Sequence, residues 1–102
     1  PNLKLEGNLA VGYNNVDVKA LRKQGIMATN TPGVLTNATA DLVFDLLLAT
    51  ARRIPESERY LREGKWCSWY PMHLVGKDVS GATIGILGMG RIGQAVPRRA
   101  KG

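Results

Sequence analysis

Apolar and polar residues alternate at the start of the chain, in Leu3-Lys4-Leu5-Glu6, which predicts a short strand ending at Gly7. Residues 8–15 carry no such period and include Gly12, so they read as a loop. Val16, Val18, Ala20 and Leu21 predict a short helix over Val16–Gln24, stopped by Gly25. Ile26-Met27-Ala28-Thr29 predicts a second brief strand, closed by the turn signal Asn30-Thr31-Pro32-Gly33. The strongest helical pattern follows, over residues 36–53. Thr36 suits an N-cap, Asp41 and Asp45 sit towards the positive end of the helix, and Arg52 and Arg53 complement the far end. Leu42, Val43, Leu46, Leu47 and Thr50 recur at helical spacing, with Phe44, Leu48 and Ala49 on neighbouring positions. That pattern predicts burial on more than one face. Pro55 opens a further helix through Tyr60 and Leu61, stopped at Gly64. Residues 65–81, KWCSWYPMHLVGKDVSG, are aromatic-rich and irregular and read as a functional loop or linker. Thr83–Leu87 is a compact apolar strand, and a glycine turn leads from it into a last helix near Arg91. Pro97 falls inside that helix, where a proline loses the bond to the Gly93 carbonyl at a cost of ~3 kcal/mol. The helix is therefore expected to kink or end around Val96.

Composition narrows the class. The 102 residues are 44% hydrophobic and 22% charged, with 12 glycines, a globular rather than a disordered balance. The longest apolar run, Leu42–Ala51, is interrupted by Asp45 and falls short of the ~20 residues a membrane span needs, so no membrane partner is expected. No basic-then-apolar leader pattern stands at the N-terminus, and the single cysteine, Cys67, cannot form an internal disulfide. Both fit a cytoplasmic protein. The net charge of +6 comes from dispersed basic residues without interleaved aromatics at the C-terminal group, which argues against nucleic acid as a partner.

Gly88-Met89-Gly90-Arg91-Ile92-Gly93 matches G-x-G-x-x-G between a strand and a helix. Gly88 would permit the tight turn, Gly90 the approach of a pyrophosphate, and Gly93 close packing of helix on strand. The N–H groups at the helix start would attract phosphate charge. The plainer alternative is a strand-turn-helix corner with no ligand. The acidic residue that would grip a ribose hydroxyl falls ~20 positions on, past Gly102, so NAD and NADP both remain open. One strand and one helix do not make a nucleotide fold, and Thr83–Leu87 alone would leave both its edges unpaired. The chain is expected to be a piece of something larger.

NLAVGYNNVDVKALRKQGI at 8–26, TNTPGVLTNATADL at 29–42 and LLLATARR at 46–53 together resemble the D-isomer-specific 2-hydroxyacid dehydrogenases. GKWCSWYPM at 64–72 and GATIGILGMGRIGQAV at 81–96 resemble its glyoxylate and hydroxypyruvate reductase branch. The resemblance implies an α/β fold, a fragment of a two-domain doubly wound (Rossmann-like) dehydrogenase spanning the interdomain crossover. On that plan residues 1–35 form the C-terminal end of the substrate domain part, and 36–81 hold the crossover helix and a dimer-contact linker. Residues 82–102 begin the NAD(P)-binding domain. The resemblance places the backbone amides of Val11 and Gly12 against the substrate carboxylate, where glycine allows close approach and N–H donors suit an anion. It assigns Thr39, Gly88, Gly90, Arg91, Ile92 and Gly93 to NAD or NADP. It has Trp69 reach across a homodimer to line the partner's pocket, against the plainer reading of a buried tryptophan in a structural loop.

The family's catalytic histidine, its carboxylate partner and its substrate-binding arginine lie downstream of the glycine motif, so none is assigned here. His73, before that motif, is expected to serve surface or packing, and Cys67 lacks a neighbouring base. Asn15 sits in Tyr13-Asn14-Asn15 where the family often has Tyr-Asp-Asn, a mild departure. The implied activity is hydride transfer between nicotinamide and a small 2-keto or 2-hydroxy acid, with the 102 residues alone expected to be inactive. The alternative is a non-catalytic nucleotide-sensing or dimerisation module of the same fold.

Overall fold

The computed structural model describes residues 2–101, which divide into two compact units, one ending at Thr36 and one beginning at Asn37. In the first, strand β1 (Leu5–Gly7) and strand β2 (Met27–Thr29) pair in parallel, with Leu5 opposite Met27 and Gly7 opposite Thr29. Parallel pairing requires a crossover, which helix α1 (Val18–Lys23) supplies. The helix starts two residues later than Val16, because the Asp17 carboxylate accepts the Ala20 N–H and so fixes the N-cap. Its end follows from Gly25, whose φ of +69° suits glycine. That turn lets the N–H groups of Gly25 and Ile26 reach back to the carbonyls of Arg22 and Leu21.

The second unit is built on helix α2 (Thr36–Ala51). Thr36 is the first helical residue rather than the N-cap, and Asp41 and Asp45 lie beyond the first turn, so neither meets the unpaired N–H groups there. Arg52 and Arg53 lie past the last turn. Arg53 adopts a left-handed φ of 56° and caps the next helix, α3 (Ile54–Arg62). Its guanidinium makes two bonds to the Glu56 carboxylate, 2.7 Å each, and a third, of 3.2 Å, to the Val75 carbonyl. Gly64, at φ +67°, ends α3 in the same way that Gly25 ends α1. The segment from Lys65 to Gly81 is irregular, as expected. It is tied down where the Lys77 N–H donates to the Ala51 carbonyl at 2.7 Å.

Two expectations fail here, and so does one alternative of a third. Among the described residues of α2 only Ala40 is buried, while Leu42 and Leu46 are more than half exposed. The helix is apolar over most of its surface, with Asn37, Asp41 and Asp45 along one stripe, but little of this chain covers it. Thr83–Leu87 forms no strand, because among the described residues of this unit no other strand offers a ladder of backbone partners. Of the two outcomes expected at Pro97, an end at Val96 does not occur: helix α4 (Arg91–Lys101) runs on through the proline. The proline removes one backbone bond, and the turn beyond it is held by Arg99. That guanidinium donates to the Ala95 carbonyl at 2.9 Å and the Asn37 carbonyl at 3.0 Å, and pairs with the Asp41 carboxylate. The core is small: Ala40, Ala95 and Val96, with Phe44, Ile86 and Ile92 packed against them.

Candidate functional site

Two backbone cradles stand out, one in each unit. In the first unit the chain leaves β1 and turns through residues 8–15. Three consecutive carbonyls in that turn are held by donors: Ala10 by the Thr31 N–H at 3.0 Å, Val11 by the Asn30 side-chain amide at 2.9 Å, and Gly12 by the Asn8 side-chain amide at 2.7 Å. In a trans peptide the N–H points opposite to its own C=O. Pinning the Ala10 and Val11 carbonyls towards residues 30–31 therefore turns the N–H groups of Val11 and Gly12 away from that segment. Among the described residues neither N–H meets a protein acceptor. Adjacent unsatisfied N–H groups form a site suited to an anion. A cleft of about 200 Å³, lined by residues including Glu6, Asn8, Tyr13 and Asn30, lies beside this turn, but Val11 and Gly12 do not line it. Their cradle is an open surface of the loop.

In the second unit the glycine turn precedes α4. Gly88 has φ +96°, a conformation that other residues rarely adopt. A Cβ on Gly90 would meet nothing within 4 Å, so the backbone there is open to a close-approaching group. A Cβ on Gly93 would lie 2.0 Å from the Gly88 carbonyl oxygen, so only glycine lets α4 start this close to the turn. Among the described residues the N–H groups of Gly90, Arg91 and Ile92 have no protein acceptor, as is usual at a helix start. Together with the helix dipole they favour negative charge. A groove of about 460 Å³ runs past Gly88, Ile92 and Gly93 and is lined otherwise by apolar residues such as Val43 and Ile86.

The remaining expected residues are placed as follows. Thr39 is half-buried in the first turns of α2, next to the fully buried Ala40, and its hydroxyl makes no hydrogen bond among the described residues. Trp69 is 77% exposed in this chain. His73 packs between Tyr60 and Tyr70, with ring centroids 5.0 and 4.4 Å away, and its Nε2 is buried without a partner. That is a packing role. Cys67 is a free, exposed cysteine, and among the described residues its thiol donates only to the Lys65 carbonyl. The ionisation shifts lie away from both cradles. Hydrogen bonding to Arg53 lowers the Glu56 pKa, and hydrogen bonding to Lys65 lowers that of Glu63. No group of three or more potential metal ligands occurs among the described residues, and no described helix is long and apolar enough to cross a membrane.

Asn8 and Asn30 were not singled out by the sequence. Asn30 read only as part of a turn signal, and its bond to Val11 spans 19 positions, a distance at which local patterns carry no information.

Residues 44–102 match the model of the D-isomer specific 2-hydroxyacid dehydrogenase NAD binding domain. The chain belongs to this family. It is 60% identical, over its whole length, to a glyoxylate reductase of Korarchaeum cryptofilum and 55% identical to one of Thermococcus onnurineus. It spans 31–32% of the length of those relatives. Among solved structures, the TT0316 protein of Thermus thermophilus superposes with a TM-score of 0.94 at 54% identity, over 97% of this chain and 32% of that one. A D-lactate dehydrogenase of Aquifex aeolicus, complexed with NAD and lactic acid, superposes at 0.77 with 25% identity, over 99% of this chain and 30% of that one. The fold class is thus that of the α/β, Rossmann-like dehydrogenases, of which this chain supplies about a third.

Proposed function

We propose that these residues serve an NAD(P)-dependent dehydrogenase of the glyoxylate reductase type, which reduces glyoxylate or hydroxypyruvate to the 2-hydroxy acid. The family is one of NAD-binding oxidoreductases. The observation that carries the finer reading is the pair of outward N–H groups at Val11 and Gly12, held by pinned carbonyls. They would bind the carboxylate of the keto acid. Gly88, Gly90, Arg91, Ile92 and Gly93 would hold the pyrophosphate of the dinucleotide; the open N–H groups of Gly90, Arg91 and Ile92 and the absence of a side chain at Gly90 fit that group. Thr39 would contact the same cofactor. When bound, the nicotinamide supplies hydride to the keto carbon. What these residues contribute is binding and orientation, and no proton transfer is assigned to them. Trp69, being exposed, is available to a second subunit of a homodimer. Residues 1–35 would close the substrate domain, 36–81 cross between domains and make the dimer contact, and 82–102 open the dinucleotide domain.

The test is keto-acid-dependent oxidation of NADH and NADPH by the purified full-length protein. Glyoxylate or hydroxypyruvate should each drive loss of reduced dinucleotide, and the more efficient dinucleotide identifies the cofactor. Tight dinucleotide binding with no turnover of any 2-keto acid would overturn the proposal and favour a nucleotide-sensing module.

A further inference from the structure

We infer that Asn30 is a positioning residue that sets the direction of the carboxylate-binding N–H of Gly12, with Asn8 as its support on the next peptide. The inference rests on the carboxylate reading of the Val11–Gly12 loop. The two amides of that loop are fixed by different means. The Val11 N–H belongs to the peptide whose carbonyl is held by the backbone N–H of Thr31, at 3.0 Å. That bond continues the run of backbone bonds between the two segments, in which the Asn8 N–H also donates to the Thr29 carbonyl at 2.9 Å. No side chain is needed for it.

The Gly12 N–H belongs to the following peptide, whose carbonyl is held only by the Asn30 side-chain amide, at 2.9 Å. Gly12 has no Cβ to resist rotation of that peptide, and a Cβ there would meet nothing closer than the Asn14 side chain at 3.5 Å. Without the Asn30 donor the Val11–Gly12 peptide is free to flip. A flip withdraws one N–H from the anion and turns a carbonyl oxygen towards it, replacing attraction with repulsion. Asn8 holds the Gly12 carbonyl at 2.7 Å in the same way, and so limits how far the flip can spread towards Tyr13. Asn30 itself is half-buried immediately after β2, a placement that orients its side chain better than a mobile surface residue would allow.

The test compares wild type with Asn30→Ala and Asn30→Asp in the full-length protein, using the KM for glyoxylate, the inhibition constant of oxalate, the Kd for NADH and the Tm. Loss of one hydrogen bond to a charged group corresponds to about a tenfold weakening or more. Asn30→Ala should therefore raise both the glyoxylate KM and the oxalate inhibition constant by about tenfold or more, with little change in NADH affinity. Asn30→Asp keeps the shape but has no N–H to donate, and it should weaken binding at least as much. Asn8→Ala should show a smaller shift in the same direction. A structural role alone would lower Tm and NADH binding together and would spare the split between substrates. Should Asn30→Ala fail to fold, the isosteric Asn30→Asp reads the same comparison. Oxalate and glyoxylate constants within about twofold of wild type, in a folded Asn30 variant, would overturn the positioning role and leave the carboxylate reading standing. Wild-type protein that neither turns over glyoxylate nor is inhibited by oxalate would overturn the carboxylate reading, and the positioning role with it.

Discussion

Replacing Gly93 with alanine would put a methyl group 2.0 Å from the carbonyl oxygen of Gly88 and 3.0 Å from its carbonyl carbon. Both neighbours are backbone, so relief requires the glycine turn and the start of α4 to separate by roughly 1 Å. Overpacking of this kind costs about 1–3 kcal/mol and sometimes more. The helix-propensity gain from glycine to alanine offsets at most about 1 kcal/mol of that. With the clash set by two backbone segments the overpacking cost lies at the upper end, about 2–3 kcal/mol or more, which leaves a net loss of about 1–3 kcal/mol. In a domain of about 150–250 residues each kcal/mol moves Tm by about 2–4 °C, so a fall of roughly 2–12 °C is expected. Gly90→Ala is the contrasting variant. Its added Cβ meets nothing within 4 Å and Gly90 is not at positive φ, so its Tm should stay close to wild type. That methyl would stand in the path of the diphosphate, however, and should weaken NADH binding about tenfold or more. Calorimetry and a fluorescence titration with NADH on both variants separate the two roles. A Gly93→Ala protein as stable as wild type would show that the turn and α4 do not constrain each other, and a Gly90→Ala protein that binds NADH unchanged would show that the diphosphate does not pass this backbone.

Two further outcomes follow from the same geometry. Pro97→Ala restores the N–H facing the Gly93 carbonyl in a helix that already continues to Lys101, and should raise stability by about 1–3 kcal/mol in chemical denaturation; a loss would show that the proline is matched to its surroundings. Glu56 is paired with Arg53, which holds its carboxyl below the ordinary 4.5. A depressed folded-state pKa stabilises above the ordinary value, and that contribution disappears as pH falls through the depressed one. Glu56→Gln should therefore lower Tm slightly at neutral pH and converge with wild type in acid, whereas a gap that widens in acid would contradict the pairing.

The sequence revealed those parts of the fold that depend on near neighbours. Gly25 and Gly64 mark helix ends because a left-handed turn is needed there and the bonds it allows are only a few residues long. The glycine turn was legible for the same reason. Thr83–Leu87 shows where such reading stops: its apolar character is local, but a strand exists only when another strand pairs with it. The covering of α2 is likewise not local. Leu42, Val43 and Leu46 say that apolar cover is wanted without saying what provides it, and the relatives are about three times as long as this chain. That α4 continues past Pro97 was not legible, because propensity ignores the Arg99 tethers to Asp41 and Asn37, made across 58 and 62 positions. The loop of Val11 and Gly12 was found by resemblance, while Asn30, which orients it, emerged only from the hydrogen bonds.

Whether the Val11 and Gly12 amides face an anion is read directly by amide NMR of isotope-labelled full-length protein during an oxalate titration. Both resonances should shift downfield together and saturate at the concentration that inhibits turnover. Resonances that stay in place while oxalate inhibits would mean that the carboxylate is held elsewhere.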